Sequence, residues 1–240
     1  MPGCQQRSPQ QVTPHWQYLH PCQASLQLST APPTEVLQSA DELLVTSQKT
    51  KTIFLELTTN PITVLTNGFD FEISSDITLD SKFTLSHIGS LLEGRNPSVL
   101  WGVLAGLIKE SEDFAVAFQL NLIGSISTEV MDTILGYGLE NHIHNIGYLS
   151  HNEVLEYQKK SQLLLLIEED SKETEYIIPG KLYEYMASKR PIIAIGPDSS
   201  DVEVILKQTK SGTYFRYNEA TTLRTLLVKH FEAYKTEQLK

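Results

Sequence analysis

Lys181 and Glu184 stand behind the breaker pair Pro179-Gly180, one helical turn apart. Pro-Gly ends any earlier element and opens a helix. A helix start offers unpaired N–H groups and a positive dipole end, and an adjoining lysine adds charge, so the place suits a phosphate. A carboxylate one turn deeper, Glu184, accepts two hydrogen bonds from a sugar diol. A second cation, Arg95, follows the run Gly89-Ser90-Leu91-Leu92-Glu93-Gly94. Glycines let backbone approach a phosphate, and the Arg fork grips it in two places. The run lacks the G-x-G-x-x-G spacing of a dinucleotide fingerprint. Asn145-Ile146-Gly147-Tyr148-Leu149 offers backbone groups and an aromatic face for a base. Each of these residues also has a plain reading: a solvated helix position, an exposed arginine, a core tyrosine.

These residues need elements to hold them. Strands are expected over 43–46, 62–65, 83–88, 118–123, 143–146, 163–167, 192–195 and 212–215. Helices are expected over 48–56, 97–109 with Pro97 in the first turn, 128–135, 152–160 capped by Asn152, 201–208 and from 218 onward. A further short helix starts at Lys181 and ends at Arg190-Pro191. Strands alternating with helices predict an α/β fold, a Rossmann-like parallel sheet with helices on both faces. Ligands of such sheets sit beyond the carboxyl ends of the strands, so the loops after Ile88, Ile146, Ile167 and Ile195 are expected to line the site.

Composition narrows the function. The chain has 240 residues and a formal net charge of −10, which argues against a general nucleic-acid binder. One or two local cations still suffice for a phosphorylated small ligand. Residues 1 to about 33 are rich in Gln, Pro and Ser and read as disordered. Cys4 and Cys22 lie there; they could pair in an oxidising compartment, but the expectation is free thiols of a cytosolic enzyme. No apolar run reaches about 18 residues, and no signal peptide is evident. His142, His144 and His151 lie close in sequence, but no fourth ligand follows at metal spacing, so no metal site is expected. Glu168-Glu169-Asp170 reads as a solvated loop. There is no G-x-S-x-G elbow and no Walker loop, so serine hydrolysis and phosphate-loop ATPase chemistry are unsupported.

The stretch from Ile178 to Ile195 resembles the donor-site motif of retaining glycosyltransferases of the GT-B fold, in the "P-G-K-x-x-E-Y" form. Further segments match in the family's order. Ala40 to Ser47 resembles the strand near the end of the first domain. Ile62 to Asp70 resembles the "V-x-x-N-G-x-D" crossing. Ile88-Gly89-Ser90-Leu91 with Arg95 resembles the first strand and phosphate loop of the second domain. Together they cover roughly residues 35 to 240.

The resemblance implies a transferase of hexosyltransferase type, active in polysaccharide biosynthesis, that moves a sugar from a nucleotide-diphosphate sugar to an unknown acceptor. The donor is a substrate, and no cofactor is expected. Arg95, Lys181 and Gly180 would hold the diphosphate, Glu184 the ribose, and Ile146, Gly147 and Tyr148 the base. The motif's first Glu is replaced by Tyr176, with Glu175 beside it, and no catalytic residue is assigned. By the same resemblance residues 34–70 are a remnant of an acceptor domain with its crossover, and 71–240 are the donor-binding domain. The chain is therefore expected to hold a donor without transferring its sugar. Leu43, Leu44, Val45, Ile62 and Val64 would lack neighbours, promoting association. A cytoplasmic location follows, with peripheral membrane association open to the full-length enzyme. Two alternatives are a non-catalytic nucleotide-sugar-binding module and a sugar-nucleotide epimerase of the same fold.

Overall fold

In the computed structural model, which describes residues 33–69 and 78–236, two parallel sheets share the chain. The expected disorder of residues 1 to about 33, and both cysteines, lie outside the described residues except for Pro33. So do Asp70 of the crossing motif and its sequel to residue 77.

The main sheet has six strands: β3 (Phe83–Ile88), β4 (Phe118–Ile123), β5 (Ile143–Gly147), β6 (Leu163–Ile167), β7 (Ile192–Gly196) and β8 (Gly212–Arg216). All neighbours are parallel, in the order β5-β4-β3-β6-β7-β8. Counted from β3, this is the doubly wound order 3-2-1-4-5-6, whose winding reverses between β3 and β6. Every residue of β3, β6 and β7 is buried, as strands covered on both faces require.

One face carries α3 (Ser98–Glu110), α4 (Glu112–Ala117), α5 (Thr128–Gly136) and α9 (Ala220–Lys235), which pack into one apolar core. The other face carries α6 (His151–Lys160), α7 (Lys181–Ala187) and α8 (Asp201–Thr209), which pack into a second. At the amino end of the sheet the rings of Phe83, Phe114, Phe118 and Phe231 lock together. Phe114 stacks on Phe118 at 5.1 Å and meets Phe231 edge-on at 5.0 Å. Phe83 lies 5.4 Å from Phe231.

Helix α4 was not expected from the sequence. Six residues give no full amphipathic period, yet Ser111 caps it by accepting from Phe114 N–H, and Phe114 fills the aromatic cluster. Helix α6 begins at His151, one residue before the expected start, because Ser150 and not Asn152 is its cap. Ser150 and Glu153 form a reciprocal capping box, which outcompetes a lone asparagine. Pro97 lies just before α3.

The smaller sheet pairs β1 (Leu43–Val45) with β2 (Ile62–Val64) around α2 (Gln48–Leu55), after a short α1 (Pro33–Ser39). Leu44 stands 65% exposed. Val45 and Ile62, expected to lack neighbours, are buried instead. They share the face that α2 covers, while the amide of Asn60 holds the carbonyls of Leu37 and Ala40 and ties α1 down. The unit is joined to the larger body through Lys49. Its Nζ pairs with Glu175 Oε2 at 2.9 Å, and its backbone N–H donates to Asp201 Oδ2.

The aromatic lock predicts that Phe83→Ala lowers stability by about 3–5 kcal/mol, whereas Leu44→Ser changes it by no more than about 0.5 kcal/mol. Urea unfolding midpoints check both values.

Candidate active site

The reversal between β3 and β6 leaves a crevice at their carboxyl ends. Two glycines shape it. Gly89 ends β3 with φ 126°, and Gly124 ends β4 with φ 117°. Gly89 N–H donates to Ile123 O at 2.7 Å, and Gly124 N–H to Gly147 O at 2.8 Å, so three strand ends are drawn together. A Cβ on Gly124 would lie 2.6 Å from Gly89 O, and one on Gly89 would lie 2.3 Å from Lys181 Nζ. Only glycine fits either place.

Lys181 lies across Gly89 and donates from Nζ to Ile88 O at 2.9 Å. Burial, and then the Arg95 guanidinium, push its pKa down to about 8, with Glu184 opposing them. Ile88 N–H donates in turn to the hydroxyl of Tyr185, at 3.1 Å. Both polar groups of one residue are thus held by α7. Arg95 sits in a 3-10 turn, Glu93–Arg95, on the loop after β3. Its charge reaches Lys181, His87 and Glu168.

Glu184 projects from the same helix, and its Oε2 accepts from Gln158 Nε2 on α6 at 2.9 Å. The structure therefore brings Arg95, Lys181 and Glu184 together. The helix end itself offers less than the sequence suggests. Helix α7 has seven residues, and the N–H groups of Leu182 and Tyr183 already donate to Pro179 and Gly180 carbonyls. Gly180 is exposed at its start. Ile146 packs against the second core, and Gly147 turns the chain with φ 76°. Tyr148 stands 82% exposed at the end of β5, with its ring open.

Two ionisable groups at the crevice were missed in the sequence. Glu168 reads in the sequence as part of a solvated loop, yet it is 4% exposed, while Glu169 and Asp170 are exposed. It is the first residue after a five-residue apolar strand, and that position at the crevice was the available signal. Burial pushes its pKa up to about 7, although bonds from Tyr214 and Ser200 oppose this. Tyr214 Oη lies 2.8 Å from Glu168 Oε2 and 2.9 Å from Pro197 O, but has one proton for both. With Glu168 protonated, its O–H donates to Tyr214, Tyr214 donates to Pro197, and Ser200 Oγ donates to Oε1 at 3.1 Å. Every acceptor is then served. His87 on β3 is fully buried. Its Nδ1–H donates to Leu165 O at 3.1 Å, and Nε2 has no partner among the described residues. Burial, then Lys181 and, more weakly, Arg95 push its pKa down to about 3 against the Leu165 bond, so it is neutral.

No family model and no curated protein matches the chain. Solved structures do. A sucrose-phosphate synthase from Thermosynechococcus elongatus superposes with a TM-score of 0.64 at 14% identity, over 86% of this chain and 53% of that one. WaaG, a glycosyltransferase involved in lipopolysaccharide biosynthesis, gives 0.60 at 14% identity, over 82% and 54%. The pneumococcal O-GlcNAc transferase GtfA, in complex with UDP and GlcNAc, gives 0.58 at 14% identity, over 83% and 39%. These are GT-B glycosyltransferases, and the chain has their Rossmann-like fold. It spans about half the length of the first two and about two fifths of the third. No helix among the described residues is long and apolar enough to cross a membrane.

The two buried groups make opposite demands on pH. Between pH 4.5 and about 7 native Glu168 binds a proton that the unfolded chain releases, so its contribution is lost as pH rises. Its full span is roughly 3 kcal/mol. Between about pH 3 and 6.5 unfolded His87 binds a proton that the native state refuses, so its contribution is lost as pH falls. Over the shared window the slopes oppose. Glu168→Gln, whose amide donates to Tyr214 as the acid does, will make stability rise more steeply with pH there. His87→Leu will make it fall with pH. Urea midpoints measured from pH 4.5 to 7 check both signs.

Proposed function

We propose that the chain binds a nucleotide-diphosphate sugar in this crevice and is the donor-binding part of a GT-B glycosyltransferase, with residues 71–240 as the donor domain and 34–70 as a remnant of the acceptor domain with its crossover. The observation that carries the reading is the convergence of Arg95 and Lys181 at the carboxyl end of β3, beside a carboxylate clamped by Gln158. Two cations at the switch point of a doubly wound sheet suit a diphosphate. When a glycosidic bond to that diphosphate breaks, negative charge develops on the departing oxygen. Cations already held in place stabilise it without reorganising. Lys181 has one N–H fixed on Ile88 O and further donors for a phosphate oxygen. Gly180 keeps the approach open.

Glu184 is assigned the ribose hydroxyls. Ile146, Gly147 and Tyr148 are assigned the base. They end β5, two strands from β3, which at ~4.8 Å per strand is about 10 Å away. That span matches a nucleoside reaching from base to diphosphate. A hexose as the transferred sugar, a polysaccharide acceptor, a cytoplasmic location and peripheral membrane association in a longer protein belong to the same proposal.

One observation favours a second reading, a module that binds donor without transfer. Tyr176 takes the place of the carboxylate that in the resembled family faces the sugar, and the neighbouring Glu175 is committed to Lys49.

Calorimetry with UDP, GDP and the free nucleosides tests the site. Binding of at least one diphosphate is expected. Arg95→Ala and Lys181→Ala should each weaken the diphosphate ten-fold or more and leave the nucleoside little changed, since a charge-assisted bond contributes about 1.5–3 kcal/mol. Glu184→Ala should weaken both ligands. Gly89→Ala should behave like Lys181→Ala, because its methyl group displaces Nζ. A folded sample that binds neither diphosphate would overturn the proposal. A sample that binds but never releases sugar from labelled donors would select the second reading.

A further inference from the structure

Helix α6 buries a single residue, and it is a glutamine. Gln158 is 1% exposed, while every other residue of the helix is half-buried or exposed. The helix meets the second core with Val154 and Tyr157, so an apolar side chain at 158 would continue that face. Gln158 carries an amide there instead. Its Nε2 donates to Glu184 Oε2 at 2.9 Å. Its Oε1 is buried too and has no partner among the described residues. A buried acceptor without a donor lowers stability, and an apolar group of the same shape removes that cost. Packing therefore does not account for this residue. Its amide has one partner among the described residues, the half-buried Glu184.

Both ends of that bond are held from β3. Just past α6, Ser161 Oγ lies 2.6 Å from Ser86 Oγ, and Gln162 N–H donates to Thr84 Oγ1 at 2.9 Å. Helix α7 is tied to Ile88 by Lys181 and Tyr185. Gln158 and Glu184 thus meet from two helices fixed on one strand. A glutamate at a half-buried helix position otherwise samples several rotamers, and a ligand that needs one of them must freeze it. The amide selects one in advance. It uses one of the carboxylate's lone-pair sites and leaves others to accept.

We propose that Gln158 is a positioning residue for the ribose: by holding Glu184 in one rotamer, it makes the crevice prefer a ribose diol over a sugar that lacks one. The inference rests on the donor reading, in which Glu184 receives the ribose hydroxyls. It adds a residue that acts only through Glu184 and that lowers stability while raising selectivity.

The full chain is titrated calorimetrically with UDP and GDP, and the tighter of the two is compared with its 2′,3′-dideoxy analogue. The unaltered protein should bind the analogue about ten-fold or more weakly, since bonds to a carboxylate are lost. Gln158→Met keeps the length of the side chain and removes the donor. It should shrink that ratio by about two- to ten-fold, the range set by one more side chain left to be immobilised. The analogue's own affinity should stay unchanged. In a Glu184→Ala background, Gln158→Met should alter the affinity of neither ligand. Urea midpoints should show Gln158→Met at least as stable as the unaltered protein, and Gln158→Leu repeats the test with a second apolar side chain. A residue that only shaped its helix would weaken both ligands alike when replaced. Equal weakening, or a ratio that both replacements leave intact, would overturn the inference while the donor reading stands. A folded sample that binds neither diphosphate would overturn both.

Discussion

The crevice depends on how helix α7 grips one residue of β3. Ile88 lies past the last pairing of β3 with β6, so its peptide groups on that side have no strand to meet. Tyr185 Oη takes its N–H and Lys181 Nζ takes its carbonyl. The two side chains are four residues apart and therefore project from one helix face. Buried backbone groups must be satisfied, so the position of α7 is set by the same bonds that end the strand. Lys181 is consequently placed before any ligand arrives. Glu184 rides on the same turn and is fixed again from α6 by Gln158. Gly89 and Gly124 follow from this constraint, because the lysine lies where a Cβ would be and the strand ends are pulled into contact.

A positive pole this concentrated must be tolerated by the folded protein itself. Several neighbours show how. His87 stays neutral beneath Lys181 and Arg95, which removes a third positive charge. Lys181 itself is a weaker base than a free lysine, because burial and then Arg95 make its positive charge easier to give up. Glu168 sits close enough to feel Arg95 but is held mostly protonated below about pH 7, so it does not cancel the positive charge at the crevice. Burial decides each of these states, and the pairwise charges adjust them. This is the ordering expected where ionisable groups lie at the dry end of a sheet.

Much of the sheet was legible in the sequence because its strands are short, apolar and separated by amphipathic helices. β3, β4 and β6 match the periodicity at both ends. The grouping of Arg95, Lys181 and Glu184 was also legible, since a doubly wound sheet returns successive strand ends to one edge. What escaped depends on tertiary contact. Helix α4 is too short to show a period and exists because Phe114 has an aromatic cluster to enter. Glu168 looks like a loop carboxylate until Gly196 lets it sink between Ser200 and Tyr214, where any Cβ would lie 2.7 Å from Oε2. Gln158 reads as an ordinary polar helix position, and only the fold shows that its amide meets Glu184. Val45 and Ile62 were misjudged for the same reason, since covering by α2 is not written in the strands themselves.

The small β1–β2 unit connects to the crevice through few residues. Lys49 holds Glu175 with its ammonium and Asp201 with its backbone N–H, and Asp201 N–H returns to Glu175 O. The next residue back, Ser200, caps α8 by accepting from Val202 N–H and donates its own proton to Glu168. A path of direct bonds therefore runs from the unit, through the start of α8, to the carboxyl under Arg95. Side chains along it are at most about one third exposed at Lys49 and fully buried at Ser200. A displacement of the unit that drew Lys49 away would leave Glu175 without its cation and Asp201 without its backbone N–H donor. It would also turn the helix start that positions Ser200 against Glu168. The loop carrying Glu175 leads directly into Pro179-Gly180-Lys181, so the same displacement bears on the lysine from its amino-terminal side. Where the unit sits and how the crevice presents its cations are thus joined by covalent continuity on one side and by hydrogen bonds on the other.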